Sequence, residues 1–291
     1  MRILNGTKLA EQTKSELKAI IKKESEILDK TVLAIIIIGN DPASKKYVEL
    51  KLSDCKEVGI KTRVLSLPEN ISTQTLIQNI KNLNDDQNIT ALIVQFPLPK
   101  HIFIFDILEF INPLKDADGL SLQNLGANLA NINGEPLSIL PCTPQAILDI
   151  AEKYKISFSE KQTLIIGRGL TVGRHLGPIL SNKKYNSTCI MAHSKTKNLN
   201  TLIKSSDIVI SAAGSAGIVN KDNIKKDSIL FDVGISYKNG KLFGDINPNV
   251  KEKASALCPN PGGTGPMTRA NLLKNVVNLA ILKSHFFQKM T

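Results

Sequence analysis

Apolar positions change period along this chain, and the changes divide it into two alternating runs of helix and strand. Between Thr7 and Leu28, the residues Leu9, Leu17, Ile20, Ile21, Ile27 and Leu28 fall at helical spacing and predict an amphipathic first helix. Val32–Ile38 is an unbroken apolar run, the pattern of a strand buried on both faces of a parallel sheet. The stretch from Ala43 to Val58 predicts a helix, with Pro42 suited to its first turn and Gly59 to the position past its end. A strand at Ile60–Leu67, a helix at Ser72–Leu83, a strand at Thr90–Val94 and a short helix around Phe105–Phe110 follow. The Asn- and Gly-rich residues up to Pro141 read as loop.

The second run opens at Pro141-Cys142-Thr143-Pro144, with Thr143 as helix N-cap and Pro144 as first helical residue. Strands are expected at Thr163–Ile166, Ser187–Met191, Asp207–Ser211 and Ser228–Asp232, then a hairpin at Tyr237–Leu242 turning on Asn239-Gly240. A helix from about Met267 to His285 closes the chain. The expected fold is α/β in two domains, residues 1–140 with 268–291 and residues 141–267, the last helix packing back on the first domain. Ligands of such sheets lie beyond the carboxyl ends of the strands.

Bulk properties narrow the functions available. The chain has 291 residues, 42% hydrophobic and 22% charged, and its apolar runs are too short to span a bilayer. Cys55, Cys142, Cys189 and Cys258 are scattered without a CxxC, so neither a metal site nor a disulfide framework is expected, and a reducing cytoplasm is the simplest compartment. A net charge of +11 invites a nucleic-acid reading. Against it, only five of the 37 basic residues are arginine, aromatics are 4%, and the lysines are spread along the chain. Small anionic ligands remain as partners of a basic surface.

Candidate chemistry clusters after strands. Tyr47 and Lys51 are four apart and leave one helix face, where they form either a ligand platform beside a proton-transfer group or an ordinary solvated surface. Gln95 follows the Thr90–Val94 strand. Asp118 lies in the turn KDADG, where an Asp commonly caps its own backbone. Gly167, Gly169 and Gly173 stand between a strand and a helix, as a dinucleotide's phosphates require, or as a glycine-rich turn without ligand would also show. No acid follows the Ser187–Met191 strand; the sequence there is His193, Ser194, Lys195, Thr196, Lys197. With Arg168 in the glycine turn, that favours a 2′-phosphate, and so NADP over NAD. His193 itself reads as a solvated loop residue.

Taken together these motifs resemble the bifunctional methylenetetrahydrofolate dehydrogenase/cyclohydrolase family over nearly the whole chain. The likeness rests on DPAS-x-x-Y-x-x-x-K at Asp41–Lys51, VQFPLP at Val94–Pro99, KDADG at Lys115–Gly119 and PCTP at Pro141–Pro144. It continues through the Gly167–Gly173 turn, HSKT at His193–Thr196, DVGI at Asp232–Ile235, GDI at Gly244–Ile246 and PGGTGPMT at Pro261–Thr268. The resemblance implies a folate-binding catalytic domain completed by the C-terminal helix, a Rossmann-like NADP domain, and a homodimer. It implies that Lys51 is the catalytic lysine, Tyr47 the folate-stacking ring, Gln95 the partner of the lysine and Asp118 the pterin anchor. Pro261, Gly262 and Gly263 would join the substrate site. Gly167, Arg168, Gly169, Val172, Gly173, Ser194, Ala213, Gly214 and Ile235 would hold NADP. The substrate would be a tetrahydrofolate derivative, with or without a polyglutamate tail. Gly169 stands where the family has Ser, His175 where it has Pro, Thr264 where it has Val, and Cys258 and Asn260 where Thr and Val are common.

Two other readings compete with this one. A short-chain dehydrogenase also carries Tyr-x-x-x-Lys, but there the glycine turn comes first, and here Tyr47 precedes Gly167. An idle folate- or nucleotide-binding paralogue would not need Tyr47, Lys51, Gln95 and Asp118 intact, while Gly169 and His175 leave that reading open.

Overall fold

The computed structural model of the chain describes residues 1–134, 138–238 and 241–288. In chain order these form β1 (Arg2–Ile3), α1 (Gly6–Lys23), α2 (Ser25–Leu28), β2 (Val32–Ile38), α3 (Pro42–Val58), β3 (Lys61–Leu67) and α4 (Thr73–Asp85). Next come β4 (Ala91–Val94), α5 (Ile104–Leu108), α6 (Leu122–Ala130), α7 (Cys142–Lys153), β5 (Gln162–Ile166), α8 (Gly173–Ser181) and β6 (Thr188–Ala192). The remainder is α9 (Leu199–Ser205), β7 (Ile208–Ser211), β8 (Ile229–Asp232), β9 (Ser236–Lys238), β10 (Lys241–Phe243), a 3-10 turn at Pro248–Glu252, β11 (Ala256–Cys258) and α10 (Thr264–Gln288).

The chain divides into two compact units. One holds residues 11–126, 138–140 and 269–291; the other holds 1–10, 127–137 and 141–268. In the first, three parallel strands run in the order β3-β2-β4. Central β2 carries Leu33 to Ile38, all buried, as its unbroken apolar sequence requires. Helix α3 starts where Asp41 caps it, accepting the Ser44 N–H at 2.7 Å, and stops at Gly59, whose φ of 94° suits glycine. A buried charge cluster fixes α3 laterally. Asp54 accepts from Arg269 Nε of α10 at 2.6 Å and from Lys14 Nζ of α1 at 3.0 Å. Leaving such desolvated charges unpaired costs about 3–5 kcal/mol.

The second unit has a six-stranded parallel sheet in the order β1-β11-β8-β7-β5-β6. Its register aligns Ala192, Ile166, Ser211 and Asp232 in one row across β6, β5, β7 and β8. The loops that begin at His193, Gly167, Ala212 and Val233 therefore leave the sheet side by side, at the carboxyl ends where α/β proteins bind ligands.

Several expectations are corrected. The Asn-rich stretch read as loop contains α6, whose Leu122, Leu125 and Leu129 do fall at helical spacing. The first helix breaks at Glu24 into α1 and α2. Helix α7 begins two residues early, with Pro141 rather than Thr143 at the N-cap and no side-chain cap. The last helix begins at Thr264 rather than at about Met267, with Gly265 and Pro266 in its first turn, where proline has no bond to lose. Strands β1 and β11 were not expected. The Asn239-Gly240 turn lies outside the described residues, although β9 and β10 pair antiparallel on either side of it.

Candidate active site

Lys51 is only 5% exposed, on the same α3 face as Tyr47. Its Nζ lies 5.2 Å from the centre of the Tyr47 ring and donates to Gln95 Oε1 at 3.0 Å. Gln95 follows β4 and is itself buried; its backbone N–H bonds Ile36 O, and its Nε2 donates to Phe96 O at 2.7 Å. That second bond leaves the amide one way round. The oxygen, not the nitrogen, faces Lys51, so Gln95 acts toward it as an acceptor alone, narrower than the donor-or-acceptor role its chemistry permits.

The KDADG turn resolves the ambiguity over Asp118. The capping role falls to Asp116, which is buried and accepts from Gly119 N (2.9 Å), Ser121 N (2.7 Å) and Asn124 Nδ2 (2.8 Å). Burial pushes the Asp116 carboxyl above its usual range, and the N–H bonds oppose this. Lys115 is also structural. It donates to Leu83 O and Asp86 O at the end of α4, and burial, then Lys283, pull its ammonium below the usual lysine range. Asp118 is left half-buried and without a hydrogen bond among the described residues. Nothing in the turn needs its carboxylate.

In the second unit the glycine bend is tight for a steric reason. A Cβ on Gly167 would stand 2.3 Å from Ala212 O, and one on Gly173 2.0 Å from Gly167 O. Gly169 differs: a Cβ there would meet nothing within 4 Å, so it opens onto free space. The amides of Arg168 and Gly169 have no carbonyl partner among the described residues, whereas Val172 is buried and spends its N–H on Gly169 O. Val172 thus closes the bend rather than offering a side chain. The HSKT turn is held by Thr196 Oγ1, which accepts from His193 N at 2.9 Å, and Ser194 is not used in holding it. Neither Arg168 nor Ser194 makes an ion pair or side-chain hydrogen bond among the described residues. Two unspent amides, a guanidinium, a hydroxyl and no nearby acid fit a dinucleotide with a 2′-phosphate.

The loops carrying Ala213, Gly214 and Ile235 rest on a device that sequence reading missed. Asp245 accepts from Ser211 Oγ (2.8 Å), Ala213 N (2.7 Å) and Ser215 N (2.7 Å). Asp232 accepts from Asp245 N (2.8 Å) and Ile246 N (3.2 Å). Each carboxylate packs on the other segment's glycine: a Cβ on Gly234 would stand 2.1 Å from Asp245 Oδ2, and one on Gly244 1.9 Å from Asp232 Oδ2. Burial pushes the Asp232 carboxyl up to about 7, with the Asp245 charge adding to the rise. The only local signal was an Asp within two residues of a Gly in both DVGI and GDI. Gly214 lies 3.4 Å, measured from its virtual Cβ, from Ile235 O, so these two loops meet. Asn260 Nδ2 bonds Gly234 O at 2.7 Å, which ties the loop of Pro261, Gly262 and Gly263 to the same cluster.

One unit thus buries an amine beside an aromatic ring, and the other carries a phosphate-ready bend at the ends of a parallel sheet. That is the architecture of a two-domain dinucleotide-dependent α/β enzyme. Residues 4–118 match the model of the tetrahydrofolate dehydrogenase/cyclohydrolase catalytic domain, and residues 141–284 that of the family's NAD(P)-binding domain. The chain is similar to the bifunctional enzyme FolD, methylenetetrahydrofolate dehydrogenase/cyclohydrolase, of Campylobacter jejuni: 37% identity over 97% of this chain and 99% of that one, TM-score 0.91. It is similar to the bifunctional enzyme of Thermoplasma acidophilum, at 34% identity over 98% and 100%, TM-score 0.87. The enzyme of Trypanosoma brucei, whose structure is complexed with NADP cofactor and inhibitor, is 29% identical over 96% and 97%, TM-score 0.89. The chain belongs to the tetrahydrofolate dehydrogenase/cyclohydrolase family.

Proposed function

We propose that this chain oxidises 5,10-methylenetetrahydrofolate to 5,10-methenyltetrahydrofolate with NADP and then hydrolyses it to 10-formyltetrahydrofolate, both steps being reversible. One observation carries the assignment of roles: Lys51 is a buried amine on the face of Tyr47, held by a glutamine whose own orientation is locked. NADP, when bound, supplies the hydride acceptor. Loss of hydride from a carbon between two nitrogens needs positioning more than a base, because a nitrogen lone pair stabilises the resulting cation. Tyr47 offers a flat face to the pterin, and Asp118, free of its turn, accepts from the pterin's amino and ring N–H groups. In the second step Lys51 Nζ takes a proton from the attacking water and returns one to the ring nitrogen.

Pro261, Gly262 and Gly263 are assigned to the folate, Arg168 and Ser194 to the 2′-phosphate, and Gly167, Gly169, Val172, Gly173, Ala213, Gly214 and Ile235 to the rest of NADP. A polyglutamate tail on the folate is compatible with the basic surface. The cysteines form no disulfide among the described residues, in keeping with a cytoplasmic setting, and no helix among the described residues is long and apolar enough to cross a membrane. A homodimer through the nucleotide-binding unit is part of the same reading. It is supported by β6, an edge strand beside a hollow of about 490 Å³ lined by exposed Leu129, Ile132 and Met191. The test is absorbance: NADPH and methenyl-folate should both form from methylenetetrahydrofolate, with NAD a poorer acceptor. Absence of both products contradicts the proposal.

A further inference from the structure

The peptide group that joins Ala117 to Asp118 is gripped from the far end of the chain. Its carbonyl oxygen, on fully buried Ala117, accepts from Asn275 Nδ2 of α10 at 2.9 Å. The Ala117 N–H, on the other side of the same residue, bonds Leu92 O of β4 at 3.3 Å. Downstream, Asp116 holds Gly119 N and Ser121 N. Asp118 is thus the one residue of the turn whose side chain is unspent, and every peptide group around it is tied down. A peptide group is planar, so fixing its carbonyl direction fixes the axis about which the Asp118 Cα–Cβ bond is set. Replacing the Asn275 donor by an acceptor sets two oxygens face to face, which the turn relieves by rotating the peptide and swinging the Asp118 carboxylate with it.

We infer that Asn275 is a positioning residue for folate binding, which aims the Asp118 carboxylate through the Ala117 carbonyl. The inference rests on the reading of Asp118 as the pterin anchor. It gives α10 a part in substrate recognition that the sequence motifs around it do not reveal, since Asn275 lies outside all of them.

The test is a kinetic cycle on the full chain with Asn275→Asp, Asp118→Ala and the double variant. Asn275→Asp keeps the side-chain shape and replaces the donor by an acceptor that faces the carbonyl. We expect the Michaelis constant for methylenetetrahydrofolate to rise about tenfold to a hundredfold, with the turnover number and the NADP dissociation constant little changed. Asn275→Ser, which restores a donor hydroxyl, should recover part of the loss and replaces the first variant should that one fail to fold. In the Asp118→Ala background, Asn275→Asp should add nothing to the Michaelis constant. An additive cycle, or equal losses in folate and NADP binding, overturns the inference while leaving Asp118 as anchor. If Asp118→Ala alone leaves folate binding unchanged, the anchor reading fails and the inference falls with it.

Discussion

Lys51 and Gln95 meet through one defined hydrogen bond, Nζ to Oε1 at 3.0 Å, because the Gln95 nitrogen is already committed to Phe96 O. A carboxylate in place of that amide would hold the lysine charged. Gln95→Glu should therefore cut cyclohydrolase turnover about a hundredfold, the scale of a positioned acid/base, and move its optimum to higher pH, with a smaller loss of dehydrogenase activity. pH–rate profiles of both activities check this. Unchanged profiles would contradict it.

Arg168 carries no partner among the described residues and stands in the bend that opens at Gly169. Removing a charge-assisted bond to a phosphate costs about 1.5–3 kcal/mol. Arg168→Ala should raise the Michaelis constant for NADP tenfold or more and leave that for NAD nearly unchanged. Equal rises for the two cofactors would remove the basis for choosing NADP.

The Asp232–Asp245 pair makes stability depend on pH. The folded Asp232 carboxyl titrates at about 7, above the ordinary 3.8, so its protonated form is favoured by folding. Its contribution is fully present below the ordinary value and is lost as pH rises through about 7. Urea midpoints of the native protein should therefore fall between pH 5 and pH 8 more steeply than those of Asp232→Asn. Parallel profiles would show that the carboxyl is not raised.

Asn271 is fully buried in α10, and neither end of its amide has a hydrogen-bond partner among the described residues. Replacing such a group by an apolar one of similar shape removes the desolvation penalty, about 1–3 kcal/mol. Asn271→Leu should raise the unfolding temperature, measured by calorimetry, and a lower one would show that a partner such as bound water satisfies the amide.

What could be read in advance was whatever is local. The run VLAIIII, the cap-to-Gly span of α3 and the strand-turn-helix at Gly167 each carry their cause within a few residues, and each formed as expected. Helix α6 was missed because two Asn and a Gly interrupt LQNLGANLA and read as loop, although its leucines keep the period. Strands β1 and β11 are too short to show any period. At the site, spacing could not say which Asp of KDADG caps the turn, because both are near enough to do so. The Asp232–Asp245 interlock closes only once β9 and β10 pair between the two residues, and the Asn275 grip joins residues 158 apart, so neither partner is visible from the other's motif.

Lys51→Met tests the central claim most directly. The variant keeps an unbranched apolar stem of similar reach and loses the amine. Cyclohydrolase activity, followed as decay of methenyltetrahydrofolate absorbance, should vanish while the fold and NADP binding survive. Hydrolysis at the native rate in that variant would contradict the account.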